Sequence, residues 1–319
     1  MTVSRPLVVE TTPIGADILT ALDFADVVEI TPEQSRQELL AAVAGASAII
    51  NPGNLPIDAE LLDGSPNLKI IANAARGFDN LPLDELARRG IWATNVPDAF
   101  TASTAEVTIG LLLMVMRRMA EGAEYVRRGA WDRFVPGEWD GHSLVGKTLG
   151  IVGHGLIGKA VARGARAFEM EVIHTQRRQL ADADCPWVPL DELLARSDVV
   201  SLHTPLDAET YHLIDRERLA KMKPGSVLIN TARGKMVDEA ALLEALESGH
   251  LGGAGLDVTE FEPTVAQALY ERIDVVITPH LGGGTLEARR AAQEHAVANV
   301  VAVLRGGIPA MPLNAPGEK

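Results

Sequence analysis

Six consecutive residues constrain this chain more than any others: Gly153-His154-Gly155-Leu156-Ile157-Gly158. They follow an apolar run, 149–152, that reads as a strand, and they precede 159–168, which reads as a helix. A strand that turns into a helix this quickly needs Gly153 for its backbone angles and Gly155 to leave room above the turn. Gly158 then lets helix and strand pack closely. The helix N-terminus points unpaired amides and a positive dipole end into that room, which favours a phosphate. A tight turn without a ligand would also use glycines, but the placement between strand and helix argues against it.

The surrounding pattern extends this unit in both directions. Apolar runs at 148–152, 170–174, 198–203, 226–230, 253–257 and 275–278 alternate with helical stretches, and six in a row predict a complete dinucleotide-binding sheet. Upstream, runs at 6–10, 46–51, 68–72 and 91–94 form a second series, with helices over 32–45 and 84–89. Residues 104–119 read as a helix leaving that series, and a looser stretch, 129–146, follows with Trp131 and Trp139. The last helix, 285–304, has no strand after it and is expected to pack back on the first domain. The expected fold is therefore α/β with two Rossmann-like domains, each a doubly wound parallel sheet. A discontinuous substrate domain covers 1–98 plus 285–319, and a dinucleotide-binding domain covers 99–284. A length of 319 residues suits two domains, and aromatic residues are only 4% of the chain, so Ala, Val, Leu, Ile and Gly must supply the core.

A formal charge of −14 argues against nucleic acid or an anionic membrane as the main partner, so any phosphate binding must be local. The single cysteine, Cys185, cannot form an intrachain disulfide, and no apolar run approaches the ~20 residues of a membrane span. With no secretory signal at the start, the expectation is a cytoplasmic protein acting on a small molecule. No metal site is read from the sequence.

The end of the strand after the glycine turn normally carries an acidic residue for a ribose 2′-hydroxyl. Here it reads His174-Thr175-Gln176-Arg177-Arg178. A hydroxyl from Thr175 and the planar donor forks of Arg177 and Arg178 suit a 2′-phosphate, which favours NADP, with NAD possible. Solvated loop charges are the alternative for the two arginines.

Three later segments each deliver polar residues just after an apolar strand, the edge where open α/β sheets bind ligands. They are 230–234 with Arg233, 257–263 with Glu262, and 278–283 with His280. Together with the glycine turn they resemble the D-isomer-specific 2-hydroxyacid dehydrogenase family, from about 68 to 304, fading toward the N-terminus. The resemblance implies that Arg233 binds substrate, Glu262 supports the catalytic histidine and His280 transfers the proton. The chemistry fits those types. A guanidinium grips a carboxylate through two parallel hydrogen bonds, and a histidine protonates a developing alkoxide near neutral pH. A glutamate on the other ring nitrogen would favour the imidazolium.

The resemblance further implies that the cofactor is lined by the turn residues Gly153, Gly155, Leu156, Ile157 and Gly158, by Thr104, and by His203, Thr204 and Pro205. Thr231, Ala232, Arg233, Asp257, His280 and Gly282 complete that set. Asp257 could instead cap backbone amides, Thr104 could cap a helix and Pro205 could form a turn. In the first domain, 73–80 is similar to the family's substrate loop, in which the amides of Arg76 and Gly77 would hold a carboxylate. The Arg76 side chain either adds an anion contact or points into solvent.

Within the family, 255–259 and the Thr175 and Arg177 pair look most like glyoxylate and hydroxypyruvate reductases. Residues 76–80 with 96–98 also resemble phosphite dehydrogenase, and 3-phosphoglycerate and other 2-hydroxy acids remain alternatives. Formate dehydrogenases of the superfamily carry glutamine where Glu262 stands. A cofactor-sensing, corepressor-like binding module is the alternative from outside enzymology. Family members are usually homodimers, which would put Trp131 and Trp139 at an interface, with Trp139 toward the neighbour's active site; a core role is the other reading of both.

Overall fold

The computed structural model describes residues 5–31, 34–179 and 184–317. It divides into two compact units, Met1–Phe100 with Gly283–Lys319, and Thr101–Gly282. The N-terminal residues of the expected helix 32–45 lie outside the described residues; the helix itself is Arg36–Val43, capped by Ser35 and Glu38 in a reciprocal box.

The first unit holds strands β1 (Leu7–Glu10), β2 (Asp26–Glu29), β3 (Ala46–Asn51), β4 (Ile70–Asn73) and β5 (Trp92–Thr94). They form one parallel sheet in the order β2-β1-β3-β4-β5. Its central strands are apolar on both faces because helices cover both. Ile49 and Ile71 enter one core with Leu39, Val43, Leu61 and Leu86. Ile50 and Ile70 enter the other with Ile18, Ala296, Val297 and Val300. Each such fully buried aliphatic side chain contributes about 1.5–3 kcal/mol by leaving water. The last helix, Leu286–Leu304, belongs to this second core, and Thr285 starts it by accepting a hydrogen bond from Ala288 N at 3.1 Å.

In the second unit, β6 (Thr148–Val152), β7 (Glu171–Thr175), β8 (Val199–Leu202), β9 (Val227–Asn230), β10 (Gly253–Leu256) and β11 (Val275–Ile277) make a six-stranded parallel sheet. The order is β11-β10-β9-β8-β6-β7. The chain runs one way from β6 to β7 and then crosses to β8 on the other side. The crevice between the ends of β6 and β8 is therefore the topological switch point, where such sheets bind ligands. No helix among the described residues is long and apolar enough to cross a membrane.

Two expectations need correction. β2, with the sequence DVVE, is an edge strand whose side chains are mostly exposed, so it carries no apolar run to read. The helix expected over 104–119 is Thr101–Met116, and a separate helix, Met119–Arg127, follows. The break comes where Met116 O accepts from His142 N at 2.7 Å and Arg118 takes a left-handed φ of 52°. Arg118 is held there by Glu121 at 2.7 Å and the Glu138 carbonyl at 2.9 Å.

Candidate active site

At the switch point, β6 runs into Gly153, whose φ of 97° is a conformation that side chains disfavour. A Cβ there would lie 2.7 Å from the carbonyl carbon of His203. At Gly158 a Cβ would lie 2.3 Å from Gly153 O, so the helix seats on the turn only because that atom is missing. Gly155 differs: nothing lies within 4 Å of where its Cβ would be. The helix Leu156–Ala167 starts there with no side chain capping its first amides. Ile157 is buried and anchors the turn while Leu156 is exposed. The result is an open cradle of unpaired N–H groups at a positive dipole end, which fits a pyrophosphate.

Beside the cradle, Thr175 is buried at the end of β7, and its carbonyl accepts from Gly153 N at 2.9 Å. Arg177 does not stand free for a 2′-phosphate: it pairs with Asp207 at 2.6 Å and Glu209 at 3.0 Å. Its side chain is 60% exposed. Such an exposed, solvent-screened pair is weak, so a phosphate could displace it. Arg178 is exposed next to it. After β8, His203 Nε2 shares a hydrogen bond with Ser201 Oγ at 2.8 Å. Thr204 and Pro205 begin a bend closed by Thr210 Oγ1 donating to Pro205 O at 2.8 Å.

The reacting groups are assembled from the ends of β9, β10 and β11. Asn230 ends β9 and shapes the next turn: its Oδ1 accepts from Ala232 N at 3.0 Å and its Nδ2 donates to Arg233 O at 2.9 Å. Arg233 is half-buried, with Nη1 donating to Ala232 O at 2.8 Å. Glu262 accepts from Thr259 N at 3.0 Å through Oε1, and its Oε2 lies 3.0 Å from His280 Nδ1. Burial pushes the Glu262 carboxyl up, but the His280 hydrogen bond and charge, the Thr259 amide and the Arg233 charge together hold it below the usual carboxylate range. Nδ1 is thereby committed to a carboxylate, leaving Nε2 for chemistry.

His280 has a φ of 53°, a left-handed conformation that costs a non-glycine residue about 1–3 kcal/mol. Asp257, buried at 1% exposure, holds it there. Oδ1 accepts from Thr278 Oγ1 and Leu281 N, both at 2.6 Å, Oδ2 accepts from Gly282 N at 2.8 Å, and the Asp257 carbonyl accepts from His280 N at 2.9 Å. The Asp257 carboxylate thus caps the backbone of the 278–282 loop. Thr104 and Thr231 are likewise buried ties. Thr104 donates to Gly282 O at 3.0 Å, Thr108 donates to Thr104 O at 2.8 Å, and the Thr108 and Thr231 hydroxyls are 2.8 Å apart.

In the first unit, the loop 73–80 is built on an amide network. Asn51 Nδ2 donates to Asn73 Oδ1 at 2.7 Å, and Asn73 Nδ2 donates to Gly77 O at 3.0 Å and Asn80 Oδ1 at 2.8 Å. Arg76 is half-buried, its Nη1 donating to Pro97 O and its carbonyl accepting from Asn95 Nδ2 at 2.6 Å. One guanidinium nitrogen of Arg76 is thus turned to the backbone. Trp139 packs on its own chain, 4.7 Å from the Tyr125 ring and 5.2 Å beneath the Arg118 guanidinium. Trp131 is 59% exposed.

Sequence reasoning gave Thr108 no role and treated Asn73, Asn80 and Thr278 only as members of their loops, not as the ties that shape them. The legible signal for Asn51 and Asn73 was an asparagine closing an otherwise apolar strand, since β3 ends at Asn51 and β4 at Asn73, both fully buried.

Residues 109–282 match the family described as D-isomer specific 2-hydroxyacid dehydrogenase, NAD binding domain. The glyoxylate reductase of Pyrococcus furiosus is 40% identical over 316 residues, covering 96% of this chain and 94% of that one. A solved Thermus thermophilus protein superposes with a TM-score of 0.92 at 43% identity, covering 96% of this chain and 99% of that one. The NADPH-dependent glyoxylate/hydroxypyruvate reductase of Sinorhizobium meliloti, solved with NADP and malonate, gives 0.90 at 32% identity over 98% of each chain. With the glycine cradle at the switch point and the Glu262–His280 pair beside Arg233, this chain belongs to the D-isomer specific 2-hydroxyacid dehydrogenases, the NAD(P)-dependent oxidoreductases of 2-hydroxy acids.

Proposed function

We propose that this chain reduces glyoxylate or hydroxypyruvate to the corresponding 2-hydroxy acid, with NADPH as the preferred cofactor. The observation that carries the reading is the 3.0 Å contact of Glu262 with His280, with Arg233 near enough for its charge to act on Glu262. The names of the Pyrococcus and Sinorhizobium relatives support this choice of substrate.

In this reading the Arg233 guanidinium takes the substrate carboxylate through paired N–H donors and so orients the neighbouring carbonyl. When bound, the dinucleotide supplies the hydride that the carbonyl carbon accepts. His280 gives a proton from Nε2 to the carbonyl oxygen as negative charge develops there, and Glu262 balances the imidazolium beforehand. The His280 side chain is 51% exposed, so solvent can restore the proton after each turnover. The cradle amides of Leu156, Ile157 and Gly158 would hold the pyrophosphate. Thr175, Arg178 and an Arg177 released from Asp207 would take the 2′-phosphate, and His203, Thr204, Pro205 and Ala232 would flank the rest. In the first unit, the amides of Arg76 and Gly77 are the proposed donors to a substrate carboxylate.

We further propose a homodimer acting in the cytoplasm. Trp131 and Phe134, 59% and 80% exposed, are large apolar side chains that a second copy could cover, and the thiol of Cys185 forms no disulfide, as is usual in a reducing compartment.

The deciding experiment tracks the absorbance of the reduced nicotinamide with NADPH and NADH, against glyoxylate, hydroxypyruvate and pyruvate, with phosphite and NADP⁺ in the opposite direction. Turnover of glyoxylate or hydroxypyruvate with NADPH, reduced about 10²–10⁴-fold or more in His280→Ala, is expected. Turnover only with NADH would remove the role given to Arg177 and Arg178. Dinucleotide binding without turnover of any 2-oxo acid would overturn the proposal.

A further inference from the structure

Behind the glycine turn lies a cluster that the reaction does not use. His154, the second residue of the turn, His174, near the end of β7, and Cys185 are all buried, and each can bring one ligand atom within 4.8 Å of the other two. Cys185 Sγ is 3.3 Å from His174 Nδ1 and 3.7 and 3.9 Å from His154 Nε2 and Nδ1. The two imidazoles stack with centroids 4.4 Å apart and 29° between their planes. His154 Nε2 also meets Asp184 Oδ1 at 2.6 Å, and Asp184 is steadied by Arg166 at 2.7 Å.

As a hydrogen-bonded cluster this is incomplete. His174 is fully buried, yet its Nε2 has no hydrogen-bond partner among the described residues, and its Nδ1 lies 3.3 Å from the Cys185 thiol. A buried polar group left unmet destabilises the fold around it. The same atoms suit an ion much better. One thiolate and two imidazoles are the donors that a borderline-soft divalent ion selects, and neighbouring ligands of a tetrahedral zinc lie about 3.4–3.6 Å apart. The Asp184 carboxylate on His154 Nε2 leaves Nδ1, 3.9 Å from Cys185 Sγ, as the nitrogen available to an ion, the carboxylate–histidine–metal arrangement that fixes a ligand's tautomer.

We propose that Cys185, His174 and His154 form a binding site for a zinc-class divalent ion, with Asp184 as the positioning residue of His154. Ligation rotates the stacked rings toward a common point and releases the thiol proton to solvent. The ion then staples three segments: the glycine turn, the end of β7 and the return at 184–187. It acts as a structural clamp beneath the phosphate cradle.

Because Cys185 is the only cysteine in the chain, cobalt substitution reports on it alone. The full-length protein, stripped by a chelator, is titrated with Co²⁺ and the thiolate-to-cobalt charge-transfer band is monitored. The expected result is a band that saturates at one ion per chain and is displaced by Zn²⁺. Cys185→Ser should lose the band, and Asp184→Asn, which keeps every ligand, should weaken zinc binding about 10–100-fold. No saturable band in the wild-type protein overturns the proposal, whatever the variants do. A wild-type band with zinc affinity unchanged in Asp184→Asn overturns the role of Asp184.

Discussion

Glu10 offers a quantitative test of the packing in the first unit. It ends β1, is 5% exposed, and lies directly opposite Glu29 in the parallel register with β2. Its Oε2 has no hydrogen-bond partner among the described residues. Burial first, and the Glu29 charge second, push its carboxyl from the ordinary 4.5 up to about 7. The folded chain therefore binds this proton more tightly than the unfolded chain. The resulting stability is fully present below pH 4.5 and is lost as pH rises through about 7. At 1.36 kcal/mol per tenfold change in proton affinity, the interval from 4.5 to about 7 corresponds to about 3 kcal/mol. Glu10→Gln, which keeps the shape and removes the charge, should gain about that much relative to wild type between pH 4.5 and a pH well above 7. Glu29→Gln should recover a smaller share. The assay is urea unfolding across that pH range, monitored by the emission of Trp92, the one tryptophan in the sequence of this unit. Parallel stability profiles for wild type and Glu10→Gln would refute the reasoning.

Three further predictions concern the candidate site. Glu262→Gln replaces a charge-assisted hydrogen bond to His280 with a neutral one, which should lower kcat about 10-fold or more while leaving dinucleotide affinity within about 2-fold; an unchanged kcat–pH profile would remove Glu262 from the mechanism. Asp257→Asn cannot accept at both oxygens from Thr278, Leu281 and Gly282, so the 278–282 loop should relax toward unstrained angles. Its kcat should fall at least 10-fold while the fold persists, and wild-type kinetics would refute the account of His280's φ. Gly158→Ala places a carbon 2.3 Å from Gly153 O and should weaken dinucleotide affinity by 10-fold or more in calorimetry, with tight binding the refuting result.

How much of this was legible depends on where each residue's partner lies. β3, β4, β8 and β9 are almost wholly buried and so appear in the sequence as mainly apolar runs, broken only by a serine or a closing asparagine, whereas β2 has only one neighbour, mostly exposes its side chains and carries little to read. The glycine turn was legible because its geometry is local. Gly153 and Gly158 answer to the adjacent strand end and to the turn itself, Gly155 leaves the space above the turn open, and the spacing of the three records that directly. Arg233, Glu262 and His280 are legible from their positions just after the ends of three apolar strands, and the structure puts Glu262 and His280 in contact.

Long-range ties behave differently. Thr104 holds Gly282 across 178 positions, and Asp257 holds Leu281 and Gly282 through backbone amides that have no sequence identity. A threonine in a helix and an aspartate after a strand are each common, so neither announces a tie. The same reasoning accounts for the absence of a metal site from the sequence reading. His154, His174 and Cys185 come from a turn, a strand and a connecting segment, separated by 20 and 11 positions instead of the two to five that mark a local ligand pair. In His154, moreover, the variable position of a glycine motif conceals a second function. The motif requires only that this residue fit behind the turn, and a side chain pointing away from the cradle is free to meet whatever β7 and its return supply. Contacts of that kind are dictated by the parallel pairing of β6 with β7, which puts Ile151 opposite His174 and so delivers the next residues of both strands to one place.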